Sequence, residues 1–286
     1  MKRTSMKKGF SSCLLMITVF ISTPGWGTHL LNKIDQIGEI TNLHNGKQLT
    51  ARELLIILSK QQRIIIGEQH DNATHHLIEH WLIEELPKHR PQGSLLLEMI
   101  NPDQQAKVNR MKKSSAVFAI PGSEMMQALS WQKGWDWALY GPIVRTAIAA
   151  PYPLLSANLN RDEVLGFYQD PVFTSGKFSS RPDVRRSLSK IIRLSHGNKI
   201  EHQQLNAMLA IQQQRDKRMA QRLLAAPTPS LLIAGGYHAA KNLGVPLHML
   251  DIHQGEQPVV LMLVEKGTAT DSRAADYQWA TMPAHK

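Results

Sequence analysis

Cysteine is almost absent from this chain of 286 residues, which contains only Cys13. A single cysteine cannot form a disulfide within the chain, and zinc sites built from several thiolates are excluded for the same reason. Cys13 also lies near the start of an apolar run, whereas a lipid anchor requires its cysteine after such a run. We therefore expect neither disulfides nor acylation.

Long apolar runs are absent after residue 27, so no later segment is expected to cross a membrane. Residues 1–9 carry four basic residues and no acid, residues 10–21 are almost wholly apolar, and small residues follow at Gly25 and Gly27. This order predicts a secretory signal peptide over residues 1–27, with an uncleaved N-terminal anchor as the alternative. The expected mature chain is soluble and periplasmic.

The remaining chain is moderately basic. Residues 1–27 hold four of the 33 Lys and Arg and none of the 23 acids, which leaves 29 positive against 23 negative groups, or +6. Neither repeats nor low-complexity linkers interrupt it. Its length of about 255–260 residues suits one domain, or one domain with a cap.

Short apolar runs alternate with helical patterns along the chain. The runs predict strands over residues 63–66, 94–98, 153–159, 230–235 and 259–264, the last of these closing the sheet. Such alternation predicts an α/β fold, a mostly parallel sheet flanked by helices, over residues 28–286. Residues 161–225 show helical patterns without a strand, so we expect a smaller, all-helical cap inserted there.

Local signals place the first elements. Asn45-Gly46 predicts the tip of a strand hairpin. Thr50 and Glu53 have the spacing of a capping box at a helix start. Asp71 or Asn72 is expected to cap the helix after the first apolar strand.

Polar and titratable side chains lie at or just beyond the carboxyl ends of four of the predicted strands. They are Glu68, His70, Glu98, Asn158, Tyr237 and His238. Because ligands bind beyond the carboxyl ends of strands in open parallel sheets, we expect a functional cleft at this edge. For each residue taken alone, a capping or surface role is the simpler interpretation.

Three further histidines lie on the helix after the first strand. We expect His75, His76 and His80 on its polar face, opposite Leu77 and Trp81. His76 and His80 are one turn apart and could share a metal, but a solvated face is favoured because no carboxylate completes the set.

The segment 161–225 combines buried polar groups with basic charge. Gln212 and Asp216 fall on the apolar stripe of a long helix, where they either tie the cap to the sheet or line the cleft. Arg186, Lys190 and Arg193 share one face of another helix, which is either solvated or binds a small anion. Sparse aromatic residues here, together with export, argue against nucleic-acid binding.

Six blocks in one order resemble the ChaN-type haem-binding family of bacterial, iron-regulated envelope lipoproteins. They are "IIIGEQHDNATHH", "SLLLEMI", "WDWALYGPIVR", "LLSANLNRDEV", "QQQRDKRMA" and "IAGGYHAAKNLGVP". The resemblance covers nearly all of the chain after residue 27 and implies a parallel sheet with flanking helices plus a helical part. The family's lipoprotein cysteine is missing here, which favours a soluble periplasmic protein.

The resemblance implies haem binding in haem or iron uptake, with a haem receptor or transporter as a further partner. It implies two stacked haems in a homodimer: a tyrosine of one monomer holds each iron, and a His and a Lys of the other reach the propionates. Four tyrosines are candidates: Tyr140, Tyr152, Tyr168 and Tyr237. Tyr168 ranks first because Phe167, Pro171 and Phe173 surround it with an apolar collar, which suits ferric haem.

The other haem contacts are ranked in the same way. Tyr140 ranks second as iron ligand, although its block is shared with relatives that bind no haem. Tyr152 lies at a strand entrance, away from the ligand edge. His196 and Lys199, or the Arg186 face, are the expected partners of the propionates.

A second function belongs to a different class. The wider superfamily resembles Tiki-type proteases and erythromycin esterases, which use the Glu and His of "GEQH" and a later His, here Glu68, His70 and His238. With Glu98, these residues could hold a zinc-like divalent metal and serve as the catalytic groups of a metal-dependent hydrolase.

Overall fold

Eight strands form one sheet with helices on both faces in the computed structural model, which describes residues 34–255 and 257–282. The predicted signal peptide lies outside the described residues. The strands are β1 (Gly38–Asn42), β2 (Gln48–Leu49), β3 (Arg63–Glu68), β4 (Ser94–Leu97), β5 (Leu154–Ser156), β6 (Ser230–Gly235), β7 (Val259–Glu265) and β8 (Tyr277–Thr281). The helices are α1 (Ala51–Ser59), α2 (Ala73–His89), α3 (Gln105–Met111), α4 (Gly122–Leu129), α5 (Trp137–Ala149), α6 (Arg161–Gln169), α7 (Pro182–Ser195), α8 (His202–Ala225), α9 (Gly236–Ala239) and α10 (Val245–Ile252).

The sheet has the order β2-β1-β8-β7-β3-β6-β4-β5. The neighbouring strands β8, β7, β3, β6, β4 and β5 are parallel to one another. In contrast, β1 pairs antiparallel with β2 and β8. The predicted α/β class with a mostly parallel sheet is therefore confirmed. Glu68 at the end of β3 is in register with Gly235 at the end of β6, so the polar residues after both strands meet at one edge.

The isoleucines of β3 show why this strand is central. Three β-branched residues in succession favour extended backbone, and all three are fully buried. Ile64 and Ile66 pack on one face with α1, α2 and α5, while Ile65 packs on the other with α8, α9 and α10. A strand covered on both sides reads as a continuous apolar run, as the sequence does here.

The first two long helices begin at capping residues. Thr50 Oγ1 accepts from the backbone N–H of Glu53 at 3.1 Å, and the Glu53 carboxylate accepts from the N–H of Thr50 at 2.9 Å. This is the predicted capping box. Asn72, rather than Asp71, caps α2 by accepting from the N–H of Thr74 at 3.0 Å.

The prediction that residues 259–264 form the last strand is wrong. β8 follows and pairs with both β7 and β1. Only Trp279 at its centre is a large, fully buried side chain, packed edge-on against Trp81, so β8 lacks an apolar run in the sequence.

Residues 161–225 contain three helices, α6 to α8, and no strand. α8 contacts both α6 and α7 and carries a small apolar cluster shared with α7 and α10. No helix in the described ranges 34–255 and 257–282 is long and apolar enough to cross a membrane.

Candidate functional site

A buried imidazole lies between two carboxylates at the carboxyl edge of the sheet. His238 Nδ1 is 2.6 Å from Asp216 Oδ1 of α8, and its Nε2 is 3.3 Å from Glu98 Oε1 after β4. Burial alone would lower the pKa of His238, but Glu98 and Asp216 raise it to about 10. His238 is therefore an imidazolium at neutral pH, held by both acids.

The two acids beside His238 differ in their surroundings. Burial would raise the pKa of Glu98, but His238 and the backbone N–H of Gly235, which donates to Oε2 at 2.8 Å, bring it below its usual range. Burial raises the pKa of Asp216 to about 6, although His238 partly opposes this. Both acids are mostly ionised at pH 7.

The long helix α8 reaches this edge through the polar residues of its apolar stripe. Asp216 is fully buried against His238, and the Gln212 amide nitrogen lies 2.9 Å from His238 Nδ1. Asp216 thus ties α8 to the sheet edge through His238, and Gln212 lies beside this pair. Asn158, after β5, joins the same edge by donating its side-chain N–H to the backbone carbonyl of Glu98 at 2.9 Å.

A second network surrounds Glu68. His70 Nδ1 lies 2.8 Å from Glu68 Oε1, and the Tyr140 hydroxyl of α5 donates to the same oxygen at 2.6 Å. Burial would raise the pKa of Glu68, but His70 and His76 lower it. Burial would lower the pKa of His70, and the bond to Glu68 raises it instead.

The backbone brings the two networks close together. A Cβ atom on Gly235 would lie 2.8 Å from His70 Nε2 and 3.7 Å from Glu98 Oε2. A side chain at Gly235 would therefore push His70 away from the edge. Glycine at this position keeps the His70–Glu68 pair beside the Glu98–His238 pair.

The prediction that His75 and His76 lie on a polar, solvated face of α2 is wrong. His75 and His76 are buried, whereas Leu77, expected on the apolar face, is exposed. The N-terminal part of α2 packs on the charged sheet edge, so its polar residues point inward. His80 is partly buried with Nε2 2.7 Å from Thr146 Oγ1.

Glu79, a carboxylate not singled out from the sequence, lies buried beside His76. Glu79 is fully buried, three residues after His76, and its Oε2 lies 3.0 Å from His76 Nδ1. Burial and the neighbouring Glu68 charge raise the pKa of Glu79 well above its usual range. The three-residue spacing of His76 and Glu79 on one helix face was the available signal.

The predicted metal ligands Glu68, His70, Glu98 and His238 form two pairs instead of one converging set. Within the described residues, the His, Cys, Asp and Glu ligand atoms that converge within 4.8 Å of one another belong to Glu68, His76 and Glu79. The four residues remain two pairs because each pair has a further partner of its own. Asp216 binds His238 Nδ1, and the Glu68 oxygen that contacts His70 also accepts from the Tyr140 hydroxyl.

Exposure separates the groups that a substrate could reach from those it could not. The His70 side chain is 40% exposed, whereas the side chains of Glu68, Glu98 and His238 are each below 10%. Among the four groups predicted for catalysis, only His70 is open to solvent.

The four candidate tyrosines occupy very different environments. Tyr140 is buried, and burial together with Glu68 raises the pKa of its phenol, which disfavours phenolate. Tyr152 is also buried, at the opposite end of β5, and burial raises its pKa to about 12. Tyr168 on α6 and Tyr237 on α9 are 47% and 58% exposed, so only these two offer a phenol to a large ligand.

The helix that carries Tyr168 buries none of its own residues. Leu165 and Tyr168, three apart and therefore neighbours on the helix surface, are both exposed, as is Val172 just beyond the helix. The helix is nevertheless fixed, because Arg218 of α8 contacts Glu163 at 2.6 Å and Gln214 donates to the carbonyl of Val172 at 2.8 Å. We call Leu165, Tyr168 and Val172 the α6 apolar face.

The neighbouring helix α7 carries an open basic groove. It is lined by Arg185, Arg186, Ser189, Lys190, Arg193, Leu194 and Asn198. Arg185 also lies over the ring of Phe173, with its guanidinium carbon 5.0 Å from the ring centre. His196 and Lys199 are exposed just after α7, and His196 Nδ1 contacts the carbonyl of Ile192 at 2.8 Å.

Comparisons with known proteins identify one family. The model of the family described as "Haem-binding uptake, Tiki superfamily, ChaN" matches residues 54–249. A solved structure described as cofacial haem binding to ChaN of Campylobacter jejuni is 28% identical, with a TM-score of 0.78, covering 86% of this chain and 97% of that chain. A mutant of the erythromycin esterase EreC in its open conformation is 14% identical with a TM-score of 0.46, covering 86% and 83% respectively. Comparison with curated proteins gives no significant match.

Proposed function

Because this chain belongs to the ChaN family of haem-binding uptake proteins in the Tiki superfamily, we propose that it holds ferric haem through Tyr168, between two copies of the chain. The observation that carries this proposal is the α6 apolar face, a fixed surface with an accessible phenol at its centre. Haem is a flat apolar disc with two carboxylates, and it requires an apolar wall, an axial ligand and a basic rim.

The surroundings of α6 fit these three requirements. Leu165 and Val172 supply apolar wall, and the Tyr168 oxygen is a hard ligand suited to ferric iron. The groove on α7 supplies the positive charge that propionates need, with His196 and Lys199 beside it. The sheet edge instead presents Glu68, Glu98 and Asp216, which would repel propionates.

A pair of chains completes the site. One copy covers only one face of the disc, so a second copy with its own haem removes the remaining apolar surface from water. In this arrangement the basic groove of α7 from the partner chain faces the propionates. The related Campylobacter jejuni structure is described as cofacial haem binding, which supports a site between two copies.

Haem should therefore drive dimerisation. Sedimentation of the mature chain is expected to show a monomer without haem and a doubled mass at one haem per chain. Leu165→Glu places a charge on the α6 apolar face and should keep the haem-loaded chain monomeric. Ile56→Glu is the matched control, because Ile56 is equally apolar and exposed but lies on α1, across the sheet. A haem-loaded monomer of the wild type, or dimerisation unaffected by Leu165→Glu, would contradict the proposal.

We also propose that the protein works in the periplasm as a soluble haem carrier. The signal-like residues 1–27 and the position of Cys13 support this. Mass spectrometry of the mature N-terminus is expected to show cleavage near Gly27 and no acyl group. An acylated Cys13, or retention of residues 1–27 in the purified protein, would overturn it.

The alternative of a metal-dependent hydrolase is the weaker proposal. Its acid and base groups, apart from His70, are buried and paired with one another. His238 in particular is held as an imidazolium by two acids and has no free nitrogen to act as a base. Haem binding on α6 uses only exposed groups.

A further inference from the structure

A second group of possible ligand atoms lies on β3 and α2, and none of its members belongs to α6. Glu68 of β3 and His76 and Glu79 of α2 bring three ligand atoms within 4.8 Å of one another. His76 Nδ1 is 3.3 Å from Glu68 Oε2 and 3.0 Å from Glu79 Oε2. Ligand atoms about 2.0–2.1 Å from a tetrahedral zinc ion stand about 3.3–3.4 Å apart, so the set already has nearly the spacing of a metal's ligands.

The orientation of His76 favours a cation in this position. Its Nε2 lies 3.0 Å from the backbone carbonyl of His70, which can only accept, so Nε2 carries the hydrogen. Nδ1 is therefore the ring atom that faces both carboxylates, and without a proton its lone pair points to where a cation would lie. Metal-bound histidines commonly donate their other N–H to a backbone carbonyl in this way.

The two carboxylates also leave atoms without partners. Glu68 Oε2 and Glu79 Oε1 are buried oxygens that no neighbouring N–H or hydroxyl group meets, although the two carboxyl groups share a hydrogen bond when Glu79 is protonated. Buried polar atoms are nearly always satisfied, and two neighbouring carboxylates repel each other strongly in a dry interior. A divalent cation would displace the proton of Glu79 and satisfy both oxygens.

We propose that Glu68, His76 and Glu79 bind one divalent transition-metal ion of the Zn²⁺ type. One imidazole and two carboxylates make a three-ligand set that Zn²⁺ accepts. The site is independent of haem, because none of its members lies on α6 or α7. It joins α2 to β3 and so stabilises the edge at which both networks meet.

A proton is the competing occupant. Under this alternative Glu79 holds a proton that it shares with Glu68, and no metal is needed. Glu79→Gln separates the two cases, since glutamine imitates the protonated acid in shape and charge but is a poor metal ligand. Under the proton explanation the variant behaves like the wild type, whereas under the metal proposal it loses the ion.

The test uses the mature chain without haem and without a histidine tag, stripped by a chelator and then dialysed against Zn²⁺. The wild type should retain one equivalent by mass spectrometry and melt at a higher temperature than the stripped protein. Glu79→Gln should weaken zinc binding by more than about tenfold, since losing even a supporting group costs 10–100-fold. Glu84→Gln, an exposed carboxylate on the same helix, is the control and should retain zinc.

Two results would overturn the proposal: no zinc above background in the wild type, or equal zinc in Glu79→Gln. If Glu79→Gln does not fold, X-ray absorption of the zinc-loaded wild type decides. One imidazole in the zinc shell supports the proposed set, whereas two imidazoles would place the ion at His70 and His238.

Discussion

Replacing Tyr168 by phenylalanine should abolish the ferric tyrosinate spectrum of the haem complex. The substitution removes one oxygen and leaves the α6 apolar face otherwise intact, so the haem loses its iron ligand without losing its wall. Loss of a group that only supports a metal ligand lowers affinity about 10–100-fold, so loss of the iron ligand itself should lower the affinity for haem by more than that. Absorption titration with ferric haem measures both the band and the affinity.

Two variants serve as controls for Tyr168→Phe. Tyr237→Phe alters the other exposed tyrosine, at the sheet edge, and should leave the spectrum unchanged. His70→Ala removes the most accessible imidazole of that edge and should also leave it unchanged. If His70→Ala or Tyr237→Phe removes haem binding and Tyr168→Phe spares it, the haem belongs at the sheet edge.

Replacing Glu98 by alanine should be among the most destabilising single substitutions in the chain. Glu98 accepts from the N–H of Gly235 and pairs with His238, so alanine leaves a buried donor unmet and an imidazolium half compensated. Breaking a buried pair from one side costs about 3–5 kcal/mol. Urea unfolding, with the free energy extrapolated to water, measures the loss.

Glu84→Ala is the matched control for Glu98→Ala. Glu84 is half exposed and lies 3.8 Å from His80, so its removal should change the free energy of unfolding by about 0.5 kcal/mol or less. Equal effects of the two substitutions would show that His238 is not held as a buried cation. Glu98→Ala should leave the ferric tyrosinate spectrum of the haem complex unchanged in any protein that still folds.

The strands that the sequence predicts correctly are those whose residues are apolar on both faces. Ile64, Ile65 and Ile66 are an example, because a strand between two helical layers needs no polar side. β8 breaks this rule, because its buried packing depends mainly on Trp279. A five-residue strand with one large buried side chain has no period that the sequence alone displays.

The error over His76 has a different physical cause. Periodicity arguments assume that a polar residue faces water, and this fails where several polar residues satisfy one another. Glu68 precedes His76 by eight positions and Glu79 follows it by three, so the network becomes apparent only when β3 and α2 pack together. Residues at the ends of the strands were predictable, since parallel strands bring their carboxyl ends to one edge.

The most direct test of the central claim is the absorption and resonance Raman spectrum of the purified mature chain after addition of one equivalent of ferric haem. We predict a five-coordinate or six-coordinate ferric complex with a tyrosinate ligand, lost in Tyr168→Phe and retained in Tyr237→Phe. A histidine-ligated spectrum, or a tyrosinate spectrum that persists in Tyr168→Phe, would contradict haem binding through Tyr168 on the α6 apolar face.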